Sequence, residues 1–302
     1  MKIIAVIVAR NGSTRVPGKS LIEFSGEPLI WHMIRIAKQI HGISQVCLAT
    51  SNLKIDDSLC KIAENENIQI YRGDPENVLD RVYNSSKKLN ADIIVYIGGD
   101  CPLLDPTIVS DAIDFFISSK IDYLNNYDPP TFPGGQDINI VSFDALKKAY
   151  ECALAPSQRI HAFSYLTFHP TEFVMSNFDY GINTPKDIDE YHWAVDYPED
   201  IKFIEMIYDH LYQKGKIISL EQVLDLVRLN KKISKYNKKI MKPKVIHSFF
   251  SSLGIMTDIN NDIQYLSRKA INAIKVNDYR LASEFYYEIK CIVSKLNSIS
   301  FK

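Results

Sequence analysis

Ile3–Ile4–Ala5–Val6–Ile7–Val8–Ala9 is followed at once by Arg10–Asn11–Gly12–Ser13–Thr14–Arg15–Val16–Pro17–Gly18–Lys19. An apolar run without a polar interruption suits a strand covered on both faces, hence the middle of a parallel sheet. In such sheets ligands sit outside the carboxyl ends of the strands, where the second stretch must lie. Gly12 can offer its backbone N–H to an anion and Gly18 can take a left-handed turn. Arg10, Arg15 and Lys19 add three fixed cations, so the loop reads as a polyphosphate site. It is not a Walker loop, which is G-x-x-x-x-G-K-[ST]. Gly12 and Gly18 enclose five residues, not four, and Pro17 removes an amide donor. The dinucleotide pattern G-x-G-x-x-G is absent. The plainer alternative, a basic surface turn, is weakened by the buried strand before it.

The rest of the first half supports this reading. Apolar segments at Val46–Thr50 and Ile93–Ile97 alternate with helical patterns from Leu29, near 55–66, from Asn77 to Leu89 and about 106–119. The expected class is α/β, a doubly wound, mostly parallel sheet. Residues 128–180 are rich in turns, aromatics and short strand-like pieces, and read as a lobe inserted over the site. Residues 190–196 are expected to return to the sheet, with helices opening at Pro198 and Ser219.

Composition sets outer limits. At 302 residues and net charge −1, the chain can bury a large core and carries no field that would draw it to nucleic acid or membranes. No segment reaches the ~20 apolar residues of a membrane span. Five scattered cysteines without a C-x-x-C pair favour reduced thiols and a cytoplasmic setting. Residues 231–244 hold seven lysines and read as the core of a solvated linker, about 231–250. A contact with an anionic surface is the alternative for that run. Residues 251–302 read as a helical hairpin resembling one tetratricopeptide unit. Such a unit cannot bury its own apolar face and must pack on the main domain or on another subunit.

The motifs resemble a known family. The loop from Arg10 to Lys19 is similar to the R-x-G-S-T-R-[LV]-P-G-K loop of cytidylyltransferases. The branch it most resembles is named for spore-coat polysaccharide biosynthesis, related to CMP-ketodeoxyoctonate and CMP-acylneuraminate synthetases. Further matches follow in family order over about residues 1–230: Arg72–Gly73 with Val78–Leu79–Asp80–Arg81, Gly98–Gly99–Asp100–Cys101–Pro102–Leu103, and Trp193–Ala194–Val195–Asp196–Tyr197–Pro198–Glu199–Asp200.

The resemblance implies transfer of CMP from CTP to an anionic sugar, sugar acid or phosphate-type acceptor for surface polysaccharide. It implies Mg2+ held by Asp100, and a homodimer. Asp196 is the preferred second ligand. Gly181–Asp187 repeats its local pattern with Asn183 in the acid's place, a neutral and weaker ligand for magnesium. Helix capping is the plainer role for either aspartate. The catalytic set is Arg10, Lys19, Asp100 and Asp196. The nucleotide would lie over Ala9, Arg10, Gly12, Ser13, Arg15, Lys19, Thr50, Ser51, Arg72 and Asp80. An ion pair on a helix is the plainer reading of Asp80–Arg81. Gln136, Asp137, Asn139, Arg159 and His161 are the acceptor candidates. Asn139 and Ile160 stand where the family has acids, which leaves the acceptor open. The remaining histidines, His32, His41, His169, His192, His210 and His247, show no ligand-like spacing. Two other classes stay in view. A nucleotide-sugar glycosyltransferase would need an Asp-x-Asp motif, and Asp100–Cys101–Pro102 offers one acid. A non-catalytic binding module would use the tail as its partner surface.

Overall fold

The computed structural model describes residues 1–179, 191–230, 232–233, 236 and 253–300. The opening apolar run forms β1 (Ile3–Val8) at the centre of a seven-stranded sheet. β2 (Glu23–Phe24) and β3 (Glu27–Pro28) make a small hairpin apart from that sheet. The other strands are β4 (Gln45–Ser51), β5 (Gln69–Gly73), β6 (Ile93–Gly98), β7 (Tyr123–Asn125), β8 (Asn139–Ser142) and β9 (Met175–Asn177). Their spatial order is β5-β4-β1-β6-β8-β7-β9, and β8 alone runs against the rest.

β1 explains the unbroken hydrophobicity. Ile3, Ala5 and Ile7 enter one core cluster; Ile4 and Val6 enter the other. The first cluster lies under α1 (Leu29–Ala37), α4 (Pro106–Ser119), α8 (Pro198–Leu211) and α9 (Leu220–Leu229), with α2 (Asp57–Asn65) at its edge. The second lies under α3 (Val78–Lys88) and α5 (Phe143–Cys152). Each face therefore removes alternate side chains from water, about 1.5–3 kcal/mol for each large aliphatic one. Helix starts follow the expected caps: Asn77 accepts from Asp80 N, Asp105 from Thr107 N and Ser219 from Gln222 N.

The register aligns the strand ends. Val8 faces Ala49 on one side and Gly98 on the other, and Ser51 faces Gly73. The loop after β1, Thr50–Ser51, Arg72–Gly73 and Asp100 thus leave the sheet at its carboxyl ends.

Two sequence expectations change, and one open alternative is decided. Residues 191–196 do not rejoin the sheet as a strand; they make one bridge, Gly134 to His192. The backbone amides of Trp193 and Val195 go instead to Gly134 O and Asp100 O. The stretch read as an inserted lobe supplies β8 and β9 to the main sheet, along with the short helices α6 (Pro156–Ile160) and α7 (Ser164–Phe168). The tail forms α10 (Leu253–Lys275) and α11 (Tyr279–Ser300), and it packs on this same chain. The rival residue Asn183 and most of the lysine-rich linker lie outside the described residues.

Candidate active site

Two loops meet at the edge of the sheet. Gly99 N donates to Val8 O, and a side chain at Gly99 would fall 2.6 Å from the Ala9 Cβ and 2.9 Å from Val8 O. Only glycine lets the β6 end approach the β1 end this closely. Asp100 follows directly, and its carbonyl accepts from Val195 N. The segment leading to Asp196 is pressed from the other side by Gly135, where φ is +94° and an added Cβ would lie 2.7 Å from the Trp193 and Ala194 backbone.

The loop over residues 10–19 is folded back on itself. Gly18 takes the left-handed conformation and donates to Asn11 O. Ser13 accepts from Val16 N. Asn11, buried, donates from its backbone to Asp56 and from its side chain to Ile55 O. Asp56 also takes the hydroxyl of Ser51. The loop is therefore riveted to the end of β4.

At the centre, Lys19 Nζ lies 2.6 Å from Asp100 Oδ2, 3.6 Å from Asp196 Oδ1 and 2.8 Å from Val195 O. Arg15 pairs with Asp196 at 2.8 Å and lies over the Tyr197 ring, 5.0 Å from its centroid. His192 Nε2 approaches Asp196 at 3.2 Å. Burial pushes the Asp196 carboxyl up, but the His192 hydrogen bond and the charges of Lys19 and Arg15 prevail and hold it well below the usual carboxylate range. Burial likewise pulls Lys19 down, and Asp100 and Asp196 more than compensate, so its net shift is upward. Asp196 does not cap the helix that follows it. Asp200 does, accepting from the amides of Asp196 and Tyr197.

Other expected residues take separate positions. Arg10 pairs with Glu76 and donates to Pro75 O, away from the two aspartates. Arg72 braces the β4 end, reaching Ser51 O, Leu53 O and Asp57. Thr50 and Ser51 are buried. Asp80 accepts from Asn84 and Tyr150, while the buried Arg81 donates to the carbonyls of Asp74 and Pro75.

Of the acceptor candidates, Gln136 is buried with its amide bonded to Asp105 N and Leu103 O. Asn139 accepts the hydroxyls of both Tyr123 and Tyr127 at 2.6 Å. Asp137 is exposed; burial pushes up Cys101 and Tyr96, and the charges of Asp100 and Asp137 add to it, so the two acids flank one region. Arg159 donates to Ala153 O, and His161 follows on the same short helix end.

His192 and Tyr197 are members of the cluster that sequence reasoning missed. Their one sequence signal is closeness to Asp196.

A site with two acids and two cations at a strand edge can grip a polyphosphate and a hard cation together. The cytidylyltransferase family model matches residues 4–240. This chain is a member of the cytidylyltransferase family. It is therefore a nucleotidyltransferase, as the loop and the two acids predict, and the glycosyltransferase and binding-module alternatives give way.

A cytidylyltransferase from Leptospira borgpetersenii serovar Hardjo-bovis superposes with a TM-score of 0.71 at 28% identity, over 77% of this chain and 96% of that one. CMP:2-keto-3-deoxy-manno-octonic acid synthetase complexed with CTP shares the fold, with a TM-score of 0.54 at 18% identity, over 70% and 99%. A 3-deoxy-manno-octulosonate cytidylyltransferase from Trichlorobacter lovleyi is 38% identical over 119 residues, which is 39% of this chain and 46% of that relative. An uncharacterized protein of Methanocaldococcus jannaschii is 26% identical over 80% of this chain and 96% of its own length. Among the described residues, no helix of this cytidylyltransferase is long and apolar enough to cross a membrane. All five cysteines are free thiols.

Proposed function

We propose that this chain transfers CMP from CTP to an anionic sugar, sugar acid, or phosphate- or phosphonate-type acceptor, releasing pyrophosphate, for surface polysaccharide. The observation that carries the reading is the single ammonium of Lys19 lying within 3.6 Å of both Asp100 and Asp196. Two carboxylates converging on one cation form an oxygen donor set that suits magnesium, which takes one or two carboxylates and completes its shell with phosphate oxygens and water. Asp100 and Asp196 would hold Mg2+. When bound, it supplies positive charge to the triphosphate.

The chain's own residues do the remaining work. Gly12 and Ser13 offer backbone amides to the triphosphate. Arg15 and Lys19 exchange their carboxylate partners for phosphate oxygens and stabilise charge on the departing pyrophosphate. Arg10 closes the loop from the Pro75–Glu76 side. The nucleoside lies along Ala9, Thr50–Ser51 and Arg72, with Asp80 behind it; because Thr50 and Ser51 are buried, their backbone lines that floor. An acceptor oxygen attacks the α-phosphorus in line, and the bond to the bridging oxygen breaks with its electron pair leaving on pyrophosphate. A carboxylate or phosphate oxygen needs no general base, so positioning and electrostatics suffice. Asp137, Asn139, Arg159 and His161 form the acceptor side, with Gln136 as its rigid support.

The test is pyrophosphate release from CTP and Mg2+ across a panel of acidic sugars, beginning with 3-deoxy-manno-octulosonate, the substrate in the relatives' names. Turnover with at least one acceptor is expected. No release with any of them, together with no calorimetric binding of CTP, overturns the reading.

A further inference from the structure

The family's span ends at residue 240, and the Leptospira enzyme is matched over 96% of its own length by 77% of this chain. The α10–α11 hairpin is thus an addition to the shared domain. Among the described residues it packs on the domain around α6 and α7, and this joint is polar at its centre. Asp262 and Glu288 are 1% and 3% exposed. Asp262 accepts the backbone amide of Ser157 at 3.1 Å and also its hydroxyl. Glu288 accepts from the side-chain amide of Gln158 and pairs with His169 at 3.1 Å. Lys295 reaches Asp128 at 3.2 Å. Apolar contacts, including Phe168 with Leu266 and Phe285, surround these bonds.

Apolar contact alone would dock the hairpin. Burying carboxylates is costly unless each is met by donors in a defined geometry, so polar contacts at this depth fix register more than they add affinity. What they fix is α6. Five residues cannot hold a helix by themselves. Gln158 both accepts from the amides of Leu154 and Ala155, closing the start of α6, and donates to Glu288. The same helix carries Arg159, and His161 is its C-terminal neighbour.

We infer that Asp262 and Glu288 are positioning residues for nucleotidyl transfer: through Ser157 and Gln158 they set the place of Arg159 and His161 on the acceptor side. This rests on the acceptor reading of those two residues given above. The added hairpin is then a working part of the enzyme, although it lies outside the catalytic domain.

The experiment uses full-length Asp262→Ala, Asp262→Asn and Glu288→Gln proteins. Backbone hydrogen exchange over residues 154–161 is expected to quicken about tenfold in Asp262→Ala, a loss of about 1.4 kcal/mol of local stability, with β1 and β6 unchanged. The kcat/KM for the acceptor falls between about tenfold and 100-fold while KM for CTP stays within about twofold, as expected when a binding group is misplaced by less than an ångström. Asp262→Asn, which keeps an acceptor for Ser157 N, recovers most of the loss. Unchanged exchange at 154–161, or equal losses for CTP and acceptor, overturns the inference. Should Asp262→Ala fail to fold, Ser157→Ala removes the hydroxyl bond to Asp262 from the domain side while the backbone bond stays, and a smaller quickening at 154–161 with the same acceptor-selective loss is expected. A wild-type protein that binds no CTP counts against the proposed function alone, and hydrogen exchange then decides the inference.

Discussion

Lys19 Nζ donates to Asp100 Oδ2 at 2.6 Å, across 81 residues of sequence. The pair closes the gap between the phosphate loop and the end of β6, and it shields two acids that would otherwise repel each other. In the proposed reaction, nucleotide and Mg2+ would take over both halves of this arrangement. Replacing Lys19 by methionine therefore has two opposed effects. Magnesium binding without nucleotide strengthens, because its competitor is gone. Turnover is expected to fall by about 10²-fold or more, because the cation proposed to face the leaving group is lost. Calorimetry with Mg2+ and a pyrophosphate-release assay measure the two effects separately.

Asp100→Asn and Asp196→Asn keep the shape of the site and remove one negative charge each. Both are expected to lower kcat by about 10²–10³-fold, in the range seen when a single electrostatic group is lost from a transition state. Dialysis against a chelator is expected to abolish activity, and added Mg2+ to restore it. An Asp196→Asn enzyme with wild-type turnover would assign Asp196 a purely structural role, holding Arg15 and His192.

Gly99→Ala tests the close approach that sets Asp100 beside the loop. The added methyl meets backbone at Val8 O and cannot be relieved by a rotamer change. Overpacking of this kind costs about 1–3 kcal/mol. A lower denaturation midpoint is expected, with weaker CTP binding because the loop and Asp100 are pushed apart. Gly12, with open space around its Cβ position, is the control: Gly12→Ala leaves stability near wild type.

Much of this site could be read from residues alone, for reasons that differ by position. β1 was legible because each of its side chains is buried on one face or the other. Asp100 was legible because Gly98–Gly99 ends a buried strand and Asp105, not Asp100, caps the next helix. His192 was not. Its segment reads as a strand, in which residues four apart lie about 13 Å from each other. The actual chain is irregular there, held by Gly134 and Asp100, and it brings His192 to 3.2 Å from Asp196. Arg72 carries the charge of a phosphate ligand, yet its guanidinium spans carbonyls that only the fold brings together. The hairpin's two helices follow from their periodicity. Its seat does not, because Ser157 and Gln158 meet Asp262 and Glu288 over separations of 105 and 130 residues.

Asn139 gives a test in the interior. Its carbonyl oxygen accepts two tyrosine hydroxyls that also touch each other at 2.6 Å. Asn139→Leu strips the acceptor from both. The two hydroxyls can then bond to each other, which leaves one of them without an acceptor, so chemical denaturation should register a loss of about 1–3 kcal/mol. Asn139→Asp retains an acceptor and is expected to lose less.

The His169–Glu288 pair makes hairpin docking depend on pH. His169 is fully buried, stacked on Tyr165 at 4.0 Å between centroids, with Tyr287 on the hairpin side and Glu172 within electrostatic range. Burial pulls its pKa down, but the hydrogen bond and charge of Glu288 outweigh that, and the net shift is upward. A histidine whose folded pKa exceeds its unfolded value of about 6.5 contributes stability that is complete below that value and is lost as pH rises through the folded pKa. Hydrogen exchange in α10 and α11, corrected for the intrinsic pH effect, should therefore be slower at pH 5.5–6 than above pH 8. His169→Gln should flatten the dependence, while Glu288→Gln should flatten it and also release α6. A hairpin equally protected across that range in the wild-type protein would mean that Glu288 does not hold a proton on His169.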